Sequence, residues 1–357
     1  MKMKLIHCGD IHLDSRMESN LPREKARERN AEICATFTRM IQYGLDRGVR
    51  VMLIAGDLFD TCRASTRTVQ YLLDRMADAA EMDFLYLRGN HDEGLDPFDG
   101  LERPKNFKTF DDRWTAYRYG DVVISGVEPE DWDTYYETLE LNPEDTNLVM
   151  LHGQVSTQTG RELICLPKLR GKHIRYLALG HIHSHQEEPL DLEGRWCYCG
   201  CLEGRGFDEL GEKGFVLLEA GHGRVKSEFI PFATRTVEEI PVDITNLSTV
   251  TQILGAMEQA GSGIPSSSLV KFTFTGTHTL ETQRDFKFLE KMLESRYYFV
   301  KIKDESRLEI AREDYEHDIS LKGEFIRMVL ASDKTEEEKE RIIRFGIQAL
   351  LGQEVEA

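Results

Sequence analysis

Five short clusters of metal-donor side chains, far apart in the chain, constrain its fold more than any other feature. They are Asp10–His12 in Gly-Asp-Ile-His, Asp57 in Ala-Gly-Asp, Asn90–His91 in Arg-Gly-Asn-His-Asp, His152 in Leu-His-Gly, and His181–His183 in Leu-Gly-His-Ile-His. Asp, Asn and His supply the oxygen and nitrogen donors that divalent Mn, Fe, Zn or Mg accept. Any one cluster is weak, since Gly-Asp is a common turn pair and a histidine can be plain polar surface. Their joint order and chemistry point to one pocket holding two metal ions.

The clusters follow apolar runs. Residues 4–7, 51–55, 84–87, 146–151 and 176–179 read as strands, and 122–127 as a further one. Helical apolar spacing over 30–48 and 66–76 separates the first three. Strand–helix–strand–helix–strand predicts a parallel sheet covered by helices. Open α/β sheets place their sites at the C-terminal strand ends, where most of the donors fall. The pattern further predicts a short helix at 131–141 and strands at 190–195, 196–201, 214–219 and 225–230. The expected domains are 1–235, a smaller α+β accessory domain at 240–310, and a helical segment at 311–357 with helices at 321–331 and 335–351.

With 357 residues, 40% apolar and 30% charged, the composition is ordinary for a soluble protein, and no tract is long enough to span a bilayer. An odd seven cysteines scattered through a large chain fits a reducing, cytoplasmic setting. The formal charge of −18 argues against a simple nucleic-acid binder. It does not exclude a DNA enzyme, because bound metals reverse the local charge and a partner can supply phosphate contacts. Weak DNA affinity of the isolated chain is expected.

On an extended stretch, residues two apart point the same way, so Asp10 with His12, and His181 with His183, could each hold one ion. Asp57 can bridge two ions, Asn90 offers a neutral oxygen and His152 a nitrogen. Two aspartates against two divalent ions leave about two positive charges, a field that phosphoryl oxygens match better than a neutral peptide or ester. His91 is left either to lean over the scissile phosphate and stabilise charge or protonate the leaving oxygen, or only to order the loop. Asp92 is expected to accept a histidine N–H. Lys168, Arg170 and Lys172 crowd the approach to His181 in sequence. Arg16 follows the first pair, with Arg23, Lys25, Arg27 and Arg29 beyond it. These cations are candidates for substrate phosphate contacts, or for a solvated rim; Arg63 and Arg67 carry the same ambiguity. Cys197, Cys199 and Cys201 read as small buried side chains, and Trp114, Trp132 and Trp196 as packing.

These motifs resemble the calcineurin-like metallophosphoesterases. More narrowly, the chain resembles the SbcD-type DNA-repair exonucleases, nuclease subunits that partner an SbcC-type coiled-coil ATPase. The resemblance is strong over residues 1–235 and loose beyond. It implies an α/β fold: a sandwich of β-sheets flanked by helices, with the accessory (capping) domain and C-terminal helices appended. It also implies one ion on Asp10, His12, Asp57 and His183, a second on Asp57, Asn90, His152 and His181, and His91 as the catalytic histidine. Manganese is the implied metal, with Mg, Fe or Zn possible. The implied activity is exo- or endonucleolytic hydrolysis of DNA phosphodiesters, by an SbcC-partnered homodimer. Asp14-Ser15 stands where the best-known exonucleases tend to have glycine, and Cys199 and Cys201 replace the Pro and Ser of a Pro-Gly-Ser pattern, which marks a side branch. Competing readings are a phosphodiesterase or phosphatase acting on a nucleotide or other small phosphoester, and a non-catalytic scaffold for an ATPase. The accessory domain favours a macromolecular substrate, and the full donor set argues against a scaffold. The apolar stripe of the C-terminal helices, including Phe325, Met328, Val329, Ile343, Ile347, Leu350 and Leu351, fits self-packing and ATPase docking equally.

Overall fold

The continuous apolar runs Val51–Ala55 and Thr146–His152 are buried along their whole length, and each lies inside a six-stranded sheet. The structure is a computed structural model that describes residues 2–17, 21–61, 64–92, 94, 96–309, 315 and 317–350. The chain divides into two compact units, residues 1–237 and 238–357.

In the first unit, one sheet has the order Arg224–Pro231, Gly214–Gly221, Met3–Cys8, Val51–Ala55, Asp83–Leu87, Phe107–Thr109. The last four run parallel, as the strand–helix alternation predicts, while Gly214–Gly221 joins Met3–Cys8 antiparallel. The second sheet has the order Gln186–Pro189, Arg195–Tyr198, Ile174–Gly180, Thr146–His152, Val122–Gly126, Thr115–Tyr119. Leu5, Leu53 and Leu85 of the first sheet pack against Ile124, Met150 and Ala178 of the second in one buried cluster. Both sheets therefore bury an inner face, and the Arg23–Asp46 helix covers the outer face of the first, with Gly44 against Ile6 and Met82. Among the described residues no helix is long and apolar enough to cross a membrane.

Three expectations differ from the structure. Residues 190–194 are a hairpin turn, and only Arg195 of the expected strand is in one, because the Asp191 carboxylate takes the N–H groups of Glu193 and Gly194. The expected 131–141 helix is only a short 3₁₀ turn, Tyr135–Thr138. Asp131 accepts from the Asp133 N–H and the Thr134 hydroxyl, which closes a local turn just before it. The first long helix begins at Arg23, well before the apolar spacing does. Its polar first turns are held by Arg29, which is wholly buried and ion-paired to Glu203 at 2.9 Å. Arg29 is thus a structural ion and unavailable to a substrate.

His7 is fully buried, with Nδ1 2.9 Å from the Tyr176 hydroxyl, and burial pushes its pKa down to about 3. An unfolded histidine titrates near 6.5. Between those two values the unfolded chain holds a proton that the folded chain refuses. The contribution is thus intact above pH about 6.5 and lost as pH falls, by up to roughly 1.4 kcal/mol per pH unit. Urea midpoints measured from pH 7 to pH 4 should fall less steeply for His7→Gln than for the wild type; equal slopes would refute this assignment.

In the second unit, Val237–Asp243, Leu269–Thr275 and Phe299–Asp304 form a three-stranded sheet. Ile253 and Met257 of the Val250–Ala260 helix and Leu289 and Leu293 of the Phe286–Leu293 helix share its core with Phe272 and Phe274. The helices Leu321–Leu330 and Glu336–Leu350 split the expected stripe. Ile326, Val329, Ile343 and Ile347 cluster with Leu280 and Leu308, while Met328 and Leu350 face solvent. Leu351 lies outside the described residues.

Candidate metal centre

The donors sit on loops that leave the C-terminal ends of both sheets at one place. Asp10 and Asp57 follow the Met3–Cys8 and Val51–Ala55 strands, Asn90 follows Asp83–Leu87, His152 ends its own strand, and His181 follows Ile174–Gly180. The pairs do not lie on extended backbone, as the spacing suggested. Asp10, His12, Asp57 and His181 have φ of 47°, 50°, 47° and 104°, in the left-handed region. Such strain persists where neighbours over-determine it. Here the Asp10 N–H donates to the Gly56 carbonyl and the His12 N–H to the Asp57 carbonyl, each at 3.0 Å, locking the two loops together. Gly180 lets the two sheets' ends meet, since a Cβ there would lie 1.8 Å from the Ala55 oxygen.

Two neighbouring groups result. Asp10, His12 and His183 bring ligand atoms within 4.8 Å of one another, as do Asp10, Asp57 and His152. Asp10 is common to both groups, and Asp57 Oδ2, in the second, stands 3.4 Å from His152 Nε2 and 4.0 Å from His12 Nε2 of the first. Asn90 Oδ1 lies 2.9 Å from His152 Nε2 and 3.2 Å from His181 Nδ1. All seven donors therefore converge. Both Asp10 oxygens accept the His181 N–H at 2.9 Å.

The donor set fits cations. His152 Nδ1 is 2.9 Å from the Ala55 carbonyl, which only accepts, so that nitrogen carries its hydrogen. Its Nε2 lone pair then faces the oxygens of Asn90 and Asp57. Likewise Nδ1 of His12 and of His183 face Asp60 at 3.2 Å and Glu209 at 2.6 Å, and their Nε2 atoms meet 3.2 Å apart. Lone pairs opposed like this need a shared proton or a metal ion. Burial opposes charge on His152, but the Asp57 carboxylate outweighs it and raises the ring to about 9. Burial lifts Asp10 to about 6 and lowers His12 to about 4. Asp57 is held below the usual carboxylate range by His152, against the effect of its own burial. Metal binding would displace these held protons.

An outer layer escaped the sequence reading. Arg205 ties Asp60 and Glu209 together, at 2.6 and 2.8 Å. The Lys213 ammonium donates to the His183 carbonyl at 2.8 Å. Isolated carboxylates on loops carry no pattern; the available signal was Asp60 three residues after a ligand. Such partners fix the ring orientation and raise ligand basicity. Glu209→Gln should weaken divalent-metal affinity about 10–100-fold with the fold intact. Metal titration followed by calorimetry would decide it, and unchanged affinity would exclude the orienting role.

Other expectations are corrected. Among the described residues Asp92 accepts no histidine N–H; its buried carboxylate takes the backbone N–H groups of Leu58, Phe59 and Gly89, so it positions the loops that carry Asp57 and Asn90. Arg170 and Lys172 precede the Ile174–Gly180 strand whose other end carries His181. An extended strand of this length separates them from it by roughly 20 Å. Arg170 Nε and Lys172 Nζ bond the carbonyls of Leu190 and Leu139. Lys168 is spent on the Asp133 carbonyl at 2.9 Å. Arg16 lines a groove beside the first loop, and Arg63 lies outside the described residues. His91 is exposed, its ring 4.9 Å from that of His12, with Nδ1 2.9 Å from the Asp60 carbonyl. Trp132, read as packing, also lines a cleft of about 790 Å³ that includes Asn90 and His152.

Residues 3–185, just over half of the chain, match the family model described as calcineurin-like phosphoesterase. The chain belongs to this family. Membership makes it a metal-dependent phosphoesterase, and the donor groups above are the family's dinuclear centre in candidate form. The chain is 26% identical over 283 residues to the uncharacterized metallophosphoesterase YhaO of Bacillus subtilis, spanning 73% of this chain and 68% of that one. It is 24% identical over 261 residues to the DNA double-strand break repair protein Mre11 of Methanopyrus kandleri, spanning 64% and 56%. To Mre11 of Sulfolobus acidocaldarius it is 27% identical over 209 residues, spanning 53% and 52%. The chain thus covers about half the length of these Mre11 proteins.

Proposed function

We propose that the chain is a manganese-dependent nuclease that hydrolyses DNA phosphodiesters. In this reading Asp10, His12, Asp57 and His183 hold one ion, and Asp57, Asn90, His152 and His181 the other. The observation that carries it is the convergence of seven donors on two adjoining points, with the exposed His91 at the rim. Bound there, two divalent ions would polarise the phosphoryl oxygens and supply an acidified water as nucleophile. His91 Nδ1 is fixed on the Asp60 carbonyl, which leaves Nε2 to face the substrate. From there it can donate to the phosphate or to the leaving oxygen. The names of the Mre11 relatives favour DNA within a repair complex, in which the first unit is the nuclease domain and the second an accessory domain. The exposed Met328 and Leu350 suit docking by an SbcC-like ATPase.

A second reading, a phosphodiesterase of small nucleotides, is favoured by one observation. The cleft beside Asn90 and His152 is lined by Glu130, Asp131 and Asp133, and by Glu128 and Glu162 paired with Arg88 and Arg161, a net acidic surface poorly suited to a polyanion. Manganese-dependent turnover of linear DNA, a chromogenic diester and a monoester separates the two. DNA and diester turnover, both lost in His91→Gln, support the nuclease. Diester turnover without DNA cleavage, even with a partner ATPase added, supports the second reading.

A further inference from the structure

We propose that the groove between the starts of the Arg23–Asp46 and Thr66–Asp78 helices holds the phosphates of the substrate strand that flank the scissile one. This rests on the nuclease reading. The groove has a volume of about 710 Å³ and carries three exposed arginines, Arg16, Arg27 and Arg67. None of the three has an ion-pair partner among the described residues, in a chain whose formal charge is −18 and whose Arg29, Arg88, Arg118 and Arg205 are all paired. Among the described residues of the groove lining the one carboxylate, Asp14, is turned into the start of the second helix. It accepts the Ser65 N–H at 2.7 Å and the Thr68 hydroxyl at 3.3 Å. The floor includes Ala26, Ala31 and Ala35, whose small side chains leave room for a backbone to lie between the arginines.

Position and charge agree. Asp14 and Arg16 follow His12 by two and four residues, hence lie within about 7.6 and 15 Å of it along the chain. Successive phosphates of one strand advance about 3.4 Å along the duplex axis, so Arg16 is within about five phosphates of the centre. The mouth on the Asn90 and His152 side is lined by five carboxylates and two arginines, Arg88 and Arg161, which pair with Glu128 and Glu162 and leave three carboxylates in excess. A polyanion entering the centre is repelled there and attracted by the arginine groove. The long arm of the strand is therefore assigned to the groove, and a short leaving fragment to the acidic mouth beside Trp132.

The test uses the full chain loaded with manganese and the combined variant Arg16→Ala, Arg27→Ala, Arg67→Ala; the three side chains are exposed, so the fold should survive. Two probes are compared, bis-p-nitrophenyl phosphate and a labelled DNA single strand of about twelve nucleotides. The variant should raise KM for the oligonucleotide at least about tenfold more than for the small diester. The slope of log affinity against log salt should become shallower by about two, near 0.7 for each lost contact. Equal effects on both probes, or an unchanged salt slope, overturn the proposal. If the wild type turns over the diester but never cuts the oligonucleotide, the nuclease reading fails by itself. Oligonucleotide binding by anisotropy then decides the groove: loss of binding in the variant upholds it as a phosphate site, and equal binding overturns it.

Discussion

Exchange of Asp57 for asparagine is expected to lower turnover of a small phosphodiester by at least about 10³-fold, roughly 4 kcal/mol in the barrier. The bound metal should fall from two ions per chain towards one. Asparagine keeps the shape that Gly89 demands, where a Cβ would already lie 2.1 Å from Asp57 Oδ1. It can still accept the His91 N–H, now 2.9 Å from that oxygen. What it removes is the charge of Oδ2, poised between His12 Nε2 at 4.0 Å and His152 Nε2 at 3.4 Å. A neutral amide cannot bind two cations at once with comparable strength. Metal analysis of the purified variant, beside its turnover and melting curve, checks this. Two ions retained with near-normal turnover would show that Asp57 does not bridge.

The second large effect concerns stability. Glu203→Ala is expected to destabilise the first unit by about 3 kcal/mol, because the buried Arg29 guanidinium loses one of its two carboxylates and keeps only Glu32 and the Gly204 carbonyl. Both side chains are fully buried. Burial alone would depress the Arg29 pKa, yet Glu203 and Glu32 outweigh it and raise it. Glu203 also accepts the Thr36 hydroxyl and the Thr234 N–H, each at 2.6 Å, so its loss opens a link between the first helix and the segment after the last strand of its sheet. Urea unfolding measures the loss. Arg29→Met with Glu203→Leu should be less damaging than either single change, since two apolar groups leave no unpaired charge. A loss below about 1 kcal/mol for Glu203→Ala would place the ion pair among those of little consequence.

Much of the fold was legible because burial on both faces leaves an unbroken apolar run, as in Val51–Ala55, where prediction and structure agree in their bounds. Legibility failed where short-range polar chemistry overrides hydrophobic pattern. Asp191 and Asp131 each bond backbone or hydroxyl groups a few residues on, and each puts a turn at the start of a predicted element. Arg29 misled for the opposite reason. Its charge reads as surface, and only a partner far along the chain, Glu203, makes its burial tolerable.

In the centre, the donor residues could be singled out from the chain because few side-chain types bind divalent ions and fewer recur after strand ends. That chemistry is local, a property of residue type and spacing. What the chain alone could not settle was which other groups surround them. Asp60, Arg205 and Glu209 became neighbours of His12 and His183 only when separate loops were closed upon one another. Arg170 and Lys172, near His181 in sequence, were carried away from it by the strand between them. Covalent order fixes what a segment can do; distance and burial, which decide what it does beside its neighbours, exist only once the sheets have packed.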